Sequence, residues 1–152
     1  MKKITVQTLV KNEARFLWFS VGSVVDHVDE VLLWDTGSTD GTLEIIEEIK
    51  TTSQAKGKIG FREVGEVDSV AFTRTRQRML ESTKTDWFMI VDGDEVWWED
   101  SIKTVTSEIR ENGKGLEMLV SPYYSVSGDI YHYQPDWTGK YKIDDNSGHI
   151  TI

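Results

Sequence analysis

The chain has 152 residues, 38% hydrophobic and 28% charged, which is enough for one soluble domain with a core of its own. Its formal net charge of -9 argues against a general nucleic-acid binder, which carries a basic stripe, and makes a phosphate site without a metal less favourable. It has no cysteine, so disulfides and thiolate metal sites are excluded and a reducing, cytoplasmic location is the expectation; Gln7, Thr8 and Lys11 break the N-terminal apolar stretch too early for a signal peptide, and no window approaches a membrane span.

Ile4 to Val10 alternates, is β-prone and reads as a first strand. Phe16, Leu17, Phe19, Val21, Val24 and Val25 fit a helix of mixed faces. Val28 to Trp34 reads as a second strand, ending at Asp35. Thr36-Gly37-Ser38-Thr39-Asp40-Gly41-Thr42 is a turn into a helix, with Thr39 or Asp40 able to cap it. Leu43, Ile46 and Ile49 give that helix its apolar stripe, and Glu44, Glu47 and Glu48 lie mainly outside. A third strand is expected over Ile59 to Val64, a third helix over Val70 to Thr83 and a fourth strand over Trp87 to Val91. A fourth helix follows over Ser101 to Arg110, and Leu116 to Val120 begins another strand. This alternation predicts an α/β fold, doubly wound, with a mostly parallel sheet and helices on both faces.

From Ser121 onward the sequence carries Tyr123, Tyr124, Tyr131, Tyr133, Trp137 and Tyr141 among glycines and Pro135. It reads as antiparallel hairpins or an irregular segment. Its aromatics read first as strand residues filling a core and second as a platform for sugar rings. One domain over 1–152 is expected, with a donor half over 1–100 and an acceptor-side segment over 101–152. The stop at His149-Ile150-Thr151-Ile152, inside what reads as a strand, leads to the expectation of a chain truncated at its C-terminus, with an unusually short member of its kind as the alternative.

Three sites carry candidate chemistry. Trp87-Phe88-Met89-Ile90-Val91 reads as a strand buried on both faces and leads straight into Asp92-Gly93-Asp94-Glu95. Carboxyl ends of strands are where ligands bind in open α/β sheets, and three acids within four residues repel one another unless a cation joins them. Magnesium suits, because it takes one or two protein carboxylates and fills its other positions with water and phosphate oxygens. Alone, Asp-Gly-Asp is equally a solvated turn. Asp35 is the second site: the turn explains Asp40 and both glycines but not why a carboxylate ends an apolar strand. Arg76 is the third. At about 100° per residue it falls in the middle of a face shared with Phe72, Met79, Leu80 and Thr83, while Arg74 and Arg78 point away. An inward arginine needs a partner: an internal ion pair to Asp35 or Asp92, or those acids together with an anionic ligand, unless the side chain merely snorkels to solvent.

Four strings together resemble a known family. Val6 to Glu13 looks like the first strand and turn of the GT-A glycosyltransferases, close to family 2. Trp34 to Thr42 matches that family's most recognisable string almost letter for letter. Phe72-Thr73-Arg74-Thr75-Arg76-Gln77 resembles its Arg-Asn helix motif, with Gln77 where asparagine is usual. Asp92-Gly93-Asp94-Glu95 resembles its Asp-X-Asp motif. The resemblance covers about residues 4 to 100.

It implies a GT-A-type fold and transfer of a sugar from a nucleotide-diphosphate donor to an acceptor hydroxyl, assisted by manganese or magnesium and inverting the anomeric centre. By resemblance Leu9 and Val10 would line the nucleoside pocket, with Asn12 and Glu13 at its rim. Asp35 would bind the base, Arg76 would sit beside the base or diphosphate, Asp92 and Gly93 would approach ribose and sugar, and Asp94 with Asp92 would hold the metal. The acceptor, whether glycan, lipid or protein, is not implied. The family's catalytic base lies well beyond the acidic motif, and the spacing of Asp129, Asp136, Asp144, Asp145 and His149 singles out none of them. A non-catalytic donor-binding domain or fragment is the alternative. A sugar-nucleotide pyrophosphorylase fits less well, because Lys11-Asn12-Glu13-Ala14-Arg15 is no glycine- and lysine-rich triphosphate loop.

Overall fold

The computed structural model describes residues 1–133 and, beyond them, only the strand pairs 142–143 and 146–147. Two compact units divide after Gly115. The first holds β1 (Ile4–Val10), α1 (Leu17–Val24), β2 (Glu30–Asp35), α2 (Thr42–Thr51), β3 (Ile59–Glu63), α3 (Ser69–Ser82), β4 (Trp87–Ile90) and α4 (Glu99–Asn112). Its four strands run parallel in the order β3-β2-β1-β4, so the α/β reading holds.

Registry sorts the side chains. Leu9 lies opposite Trp34 and Gln7 opposite Leu32, and Met79 of α3 packs with Leu9, Leu32 and Trp34. The Gln7 amide donates to Thr83 Oγ1 at 2.8 Å, which satisfies a polar group that the sheet buries. The other face of the sheet, Ile4, Val6, Val10, Val31 and Leu33, is equally buried. Helices therefore cover both faces, with α1 packed against α2 and α4. Thr42, Ile46 and Ile49 form the buried side of α2, and its glutamates face solvent. Asp68 caps α3 by accepting from the Ala71 amide at 2.7 Å.

Two expectations about strands exchange places. β1, read as alternating, is central and buried at all seven positions, polar Thr5, Gln7 and Thr8 included. β4, read as buried on both faces, is the edge of the sheet: Trp87, Phe88 and Ile90 are half-buried, and only Met89 is fully covered. Apolar content reports hydrophobicity, whereas burial follows position in the sheet. The first compact unit extends to Gly115, and α4 buries Ile102, Thr106 and Ile109 within it.

In the second unit, β5 (Val126–Ser127) and β6 (Asp129–Tyr133) form an antiparallel pair around Gly128, whose φ of 83° suits the tight turn. β7 (Lys142–Ile143) and β8 (Asn146–Ser147) form another. The antiparallel reading of this region holds for these pairs. The strand expected from Leu116 is not formed: residues 116–125 carry no strand, since a β-prone run becomes one only where a neighbouring edge accepts its ladder. Tyr123, Tyr124, Tyr131 and Tyr133 are exposed rather than core-filling, and Tyr124 stacks edge-on against Tyr133 with centroids 5.1 Å apart. Trp137, Tyr141, Asp136, Asp144, Asp145 and His149 lie outside the described residues.

Candidate functional site

The loops after β1, β2 and β4 meet at the carboxyl edge of the sheet. Asp35 leaves β2 only 2% exposed. Its Oδ1 accepts from the amides of Gly37 at 2.9 Å and Ser38 at 3.0 Å, and its Oδ2 accepts from the Ser38 hydroxyl. The buried carboxylate at the end of an apolar strand is thus satisfied by its own turn, contrary to the expectation that the turn leaves it unexplained. Gly37 takes φ of 87° inside that turn, and a Cβ there would stand 3.1 Å from the Glu66 amide nitrogen.

This turn is joined to the loop after β1. Asn12, in the left-handed region at φ 59°, donates its amide to Ser38 Oγ at 2.8 Å. Its Oδ1 accepts from the Thr39 amide at 2.8 Å. Asparagine tolerates this backbone better than most residues. The Glu13 amide donates to Thr42 Oγ1 at 2.8 Å, and the Ala14 amide to Asp40 Oδ2 at 3.2 Å. Asp40 Oδ1 accepts from the Thr42 amide and hydroxyl, at 3.1 and 2.6 Å, so Asp40 supplies the expected cap from just before the Gly41 N-cap. Those bonds hold the exposed Asp40 carboxyl below the usual range, the Thr42 hydroxyl most of all. Ser38 and Thr42 escaped the sequence reading, because the Asn12 and Glu13 amides that they receive lie 26 and 29 residues away in the chain.

The acidic turn joins the edge from β4. Arg76 turns inward and its Nη2 donates to Asp92 Oδ1 at 2.7 Å, but the face expected around it holds only in part: Met79 is buried, whereas Phe72 and Leu80 are exposed and Thr75 is buried instead. Of the partners expected for it, Asp92 is the one it takes. Among the described residues the buried Nη1 of Arg76 has no hydrogen-bond partner, and the guanidinium lies over the Phe72 ring, 5.5 Å from the centroid. Arg74 is exposed; Arg78 is exposed too, but leans over the Trp34 ring at 5.9 Å from its centroid. Gly93 is buried against the β1 loop: a Cβ there would lie 2.8 Å from Glu13 Cγ and 2.9 Å from Val10 Cγ1. The missing side chain lets the turn sit down on Glu13 and leaves Asp94 exposed. The turn is pinned by the Asp92 amide on Glu95 Oε2 at 3.0 Å and by Ser20 Oγ of α1 on the Asp92 carbonyl at 2.9 Å. Half-buried Trp97 donates its amide to Ser23 Oγ at 3.1 Å, fixing the following loop on α1, while Trp98 stays exposed.

Electrostatically the edge is negative. Burial pushes the Glu13 carboxyl above its ordinary value, and the charges of Asp94, Asp40 and Asp92 push it the same way. Among the described residues no three acids or histidines close into a metal cage. Two neighbouring carboxylates, one exposed and the other bonded through Oδ1 to Arg76, instead suit a cation that completes its shell with phosphate oxygens and water. Leu9 and Val10, expected to line a nucleoside pocket, are core side chains at 7% and 2% exposure. What Val10 offers the edge is its carbonyl, which accepts from the Thr36 amide and hydroxyl, both at 2.9 Å. A separate cleft at the amino end of the sheet, beside Lys2, Asp86, Arg110 and Lys114, carries no part of this site: Lys2 is paired with Asp86 at 2.7 Å, and Arg110 donates to the His27 carbonyl at 2.7 Å.

The family model for glycosyl transferase family 2 matches residues 5–151. An uncharacterized glycosyltransferase of Rickettsia bellii is 32% identical over 94 residues, 62% of this chain and 28% of that one. Glycosyltransferase SunS, derived from the SPbeta prophage of Bacillus subtilis, is 25% identical over 133 residues, 84% of this chain and 29% of that one. Among solved structures, S. aureus TarS superposes with a TM-score of 0.59 at 20% identity, over 81% of this chain and 42% of that one. The mannosyltransferase PcManGT of Pyrobaculum calidifontis, in complex with GDP-Man and Mn2+, superposes with a TM-score of 0.54 at 18% identity, over 84% of this chain and 36% of that one. These superpositions show a shared fold. The chain spans 28% and 29% of the lengths of the two curated relatives named.

Proposed function

The chain belongs to glycosyl transferase family 2, and on that premise we propose that its sheet edge binds a nucleotide-diphosphate sugar, with a divalent cation, for transfer of the sugar to an acceptor hydroxyl with inversion. The observation that carries this reading is Arg76: one guanidinium nitrogen orients Asp92, and the other is buried without a hydrogen-bond partner among the described residues. A buried cationic donor with nothing to bond is costly, and a phosphate or base oxygen satisfies it.

In this reading Asp94 and Asp92 hold a manganese or magnesium ion, Arg76 keeps Asp92 turned to it, and Gly93 lets both carboxylates flank the Glu13 loop. Asn12 and Glu13 form the rim on the far side; Leu9, Val10 and Asp35 support it from the sheet. The cation, when bound, supplies positive charge where the leaving diphosphate develops negative charge. The exposed position of Asp94 serves that role, since a carboxylate tied into the fold could not give its oxygens to a metal. Among the described residues no helix is long and apolar enough to cross a membrane.

Calorimetry with UDP and GDP, each with manganese and with chelator, tests the proposal. Binding that strengthens at least tenfold with manganese is expected. Equal affinity in both conditions removes the metal role of Asp94 and Asp92, and no binding of either nucleotide removes the donor site altogether.

A further inference from the structure

We infer that Asp35 and Ser38 are positioning residues that set the rim of the donor site through Asn12, and that Asp35 itself meets no donor atom; the inference rests on the donor-site reading above. A carboxylate offers about four acceptor positions. Two on Oδ1 are taken by the Gly37 and Ser38 amides, a third on Oδ2 by the Ser38 hydroxyl, and the residue is only 2% exposed. Nothing of Asp35 is turned outward for a base.

Its influence leaves through Ser38. A hydroxyl has one proton to give and two lone pairs to receive with. Ser38 gives its proton to Asp35, and a lone pair receives the Asn12 amide at 2.8 Å. The acid therefore fixes the hydroxyl's orientation, and the oriented hydroxyl anchors the residue that has to stay at φ 59°. Glu13 follows directly, and its side chain is the surface on which Gly93 rests, with Asp92 and Asp94 on either side. Loosening Ser38 moves the Glu13 platform, and with it the carboxylates proposed to hold the cation. The second hydroxyl, Thr42, repeats the device one residue on: it donates to Asp40 and receives the Glu13 amide.

Contact and positioning make different demands on Asp35. Asp35→Asn keeps Oδ1 for both amides but replaces the acceptor of the Ser38 proton by a donor. The clasp then loosens, so a positioning role predicts weaker binding together with faster exchange at the rim, whereas a contact to the base predicts weaker binding with the rim unchanged. The test is manganese-linked binding of UDP, GDP and dTDP to the chain, together with amide hydrogen exchange at Asn12 and Glu13. Ser38→Ala is expected to weaken binding about tenfold, the usual scale for losing a hydrogen bond to a charged group, and to speed exchange at both amides. Ser38→Thr, which keeps the hydroxyl, restores both, and Asp35→Asn is expected to weaken binding and speed exchange at the same two amides together. If Asp35→Asn loses binding as severely as Ser38→Ala while exchange is unchanged, Asp35 touches the base and the inference falls. Unchanged exchange in Ser38→Ala also overturns it. If the unsubstituted chain binds none of the three nucleotides, the donor reading itself fails, a result distinct from either.

Discussion

At the end of β2 the Asp35 carboxylate is buried and accepts from two amides and a hydroxyl of its own turn; at the end of β4, Asp92 shares one oxygen with Arg76, and Asp94 faces solvent. The two turns flank the same central strand and both follow apolar runs. They differ in where the backbone donors point. After β2 the chain reverses through Gly37 so that amides converge on the acid; after β4 the buried Gly93 presses the chain against Val10 and Glu13 and drives its acids outward. One turn spends its charge on rigidity. The other leaves charge exposed beside an underused guanidinium, which is the condition for taking a ligand.

The sharpest way to break this contrast is to remove each acid in turn. Asp35→Ala strands two amides and a hydroxyl, and should cost about 1–3 kcal/mol, read as a lower melting temperature without ligand. Asp94→Ala should leave melting unchanged or raised, because only repulsion is lost, while abolishing the gain in nucleotide affinity from manganese. Equal destabilisation by both would show that the acidic turn is structural as well.

The arginines offer a smaller and more local comparison. Arg76→Ala should weaken nucleotide binding and lower stability by about 1–2 kcal/mol, since it breaks a partly buried ion pair. Arg74→Ala, on the exposed side of the same helix, should stay within about 0.5 kcal/mol in denaturant melts and leave binding alone. A matching loss of binding in both would mean that α3 acts by general charge rather than through one contact.

The smallest effect concerns Glu13. Its carboxyl is raised in the folded chain above the ordinary value of 4.5, so the stabilisation from its proton is complete below that pH and fades as pH rises through the folded value. Near neutrality the ionised side chain is a net cost. Glu13→Gln should therefore melt higher than the original chain at pH 7, with the gap closing below about pH 4. A gap that persists in acid would mean that packing, not charge, is what changed.

Much of the site was legible in order and phase. The Trp34–Thr42 string, the Asp92–Glu95 run and the inward turn of Arg76 were all readable, because a helix fixes direction every 3.6 residues and a strand delivers its last residue to the sheet edge. Less legible was what each acid does there. Asp35 and Asp92 look alike in sequence, each an acid after an apolar strand, and only the folded turns separate an acid bonded to its own loop from one shared with a helix.

The α/β alternation, the parallel sheet, the buried stripe of α2 and the family were all readable from the chain alone, since they follow from local periodicity and from strings that survive without partners, whereas the face read for α3 holds only at Met79. The tertiary structure alone decided that the polar β1 is central and the apolar β4 an edge, that residues 116–125 form no strand, and that Ser38, Thr42 and Gly93 join three loops into one edge. The physical reason is common to all of them. Burial and hydrogen-bond satisfaction depend on neighbours distant in the chain, and a residue's own chemistry states what it can pair with but not which partner the fold brings to it.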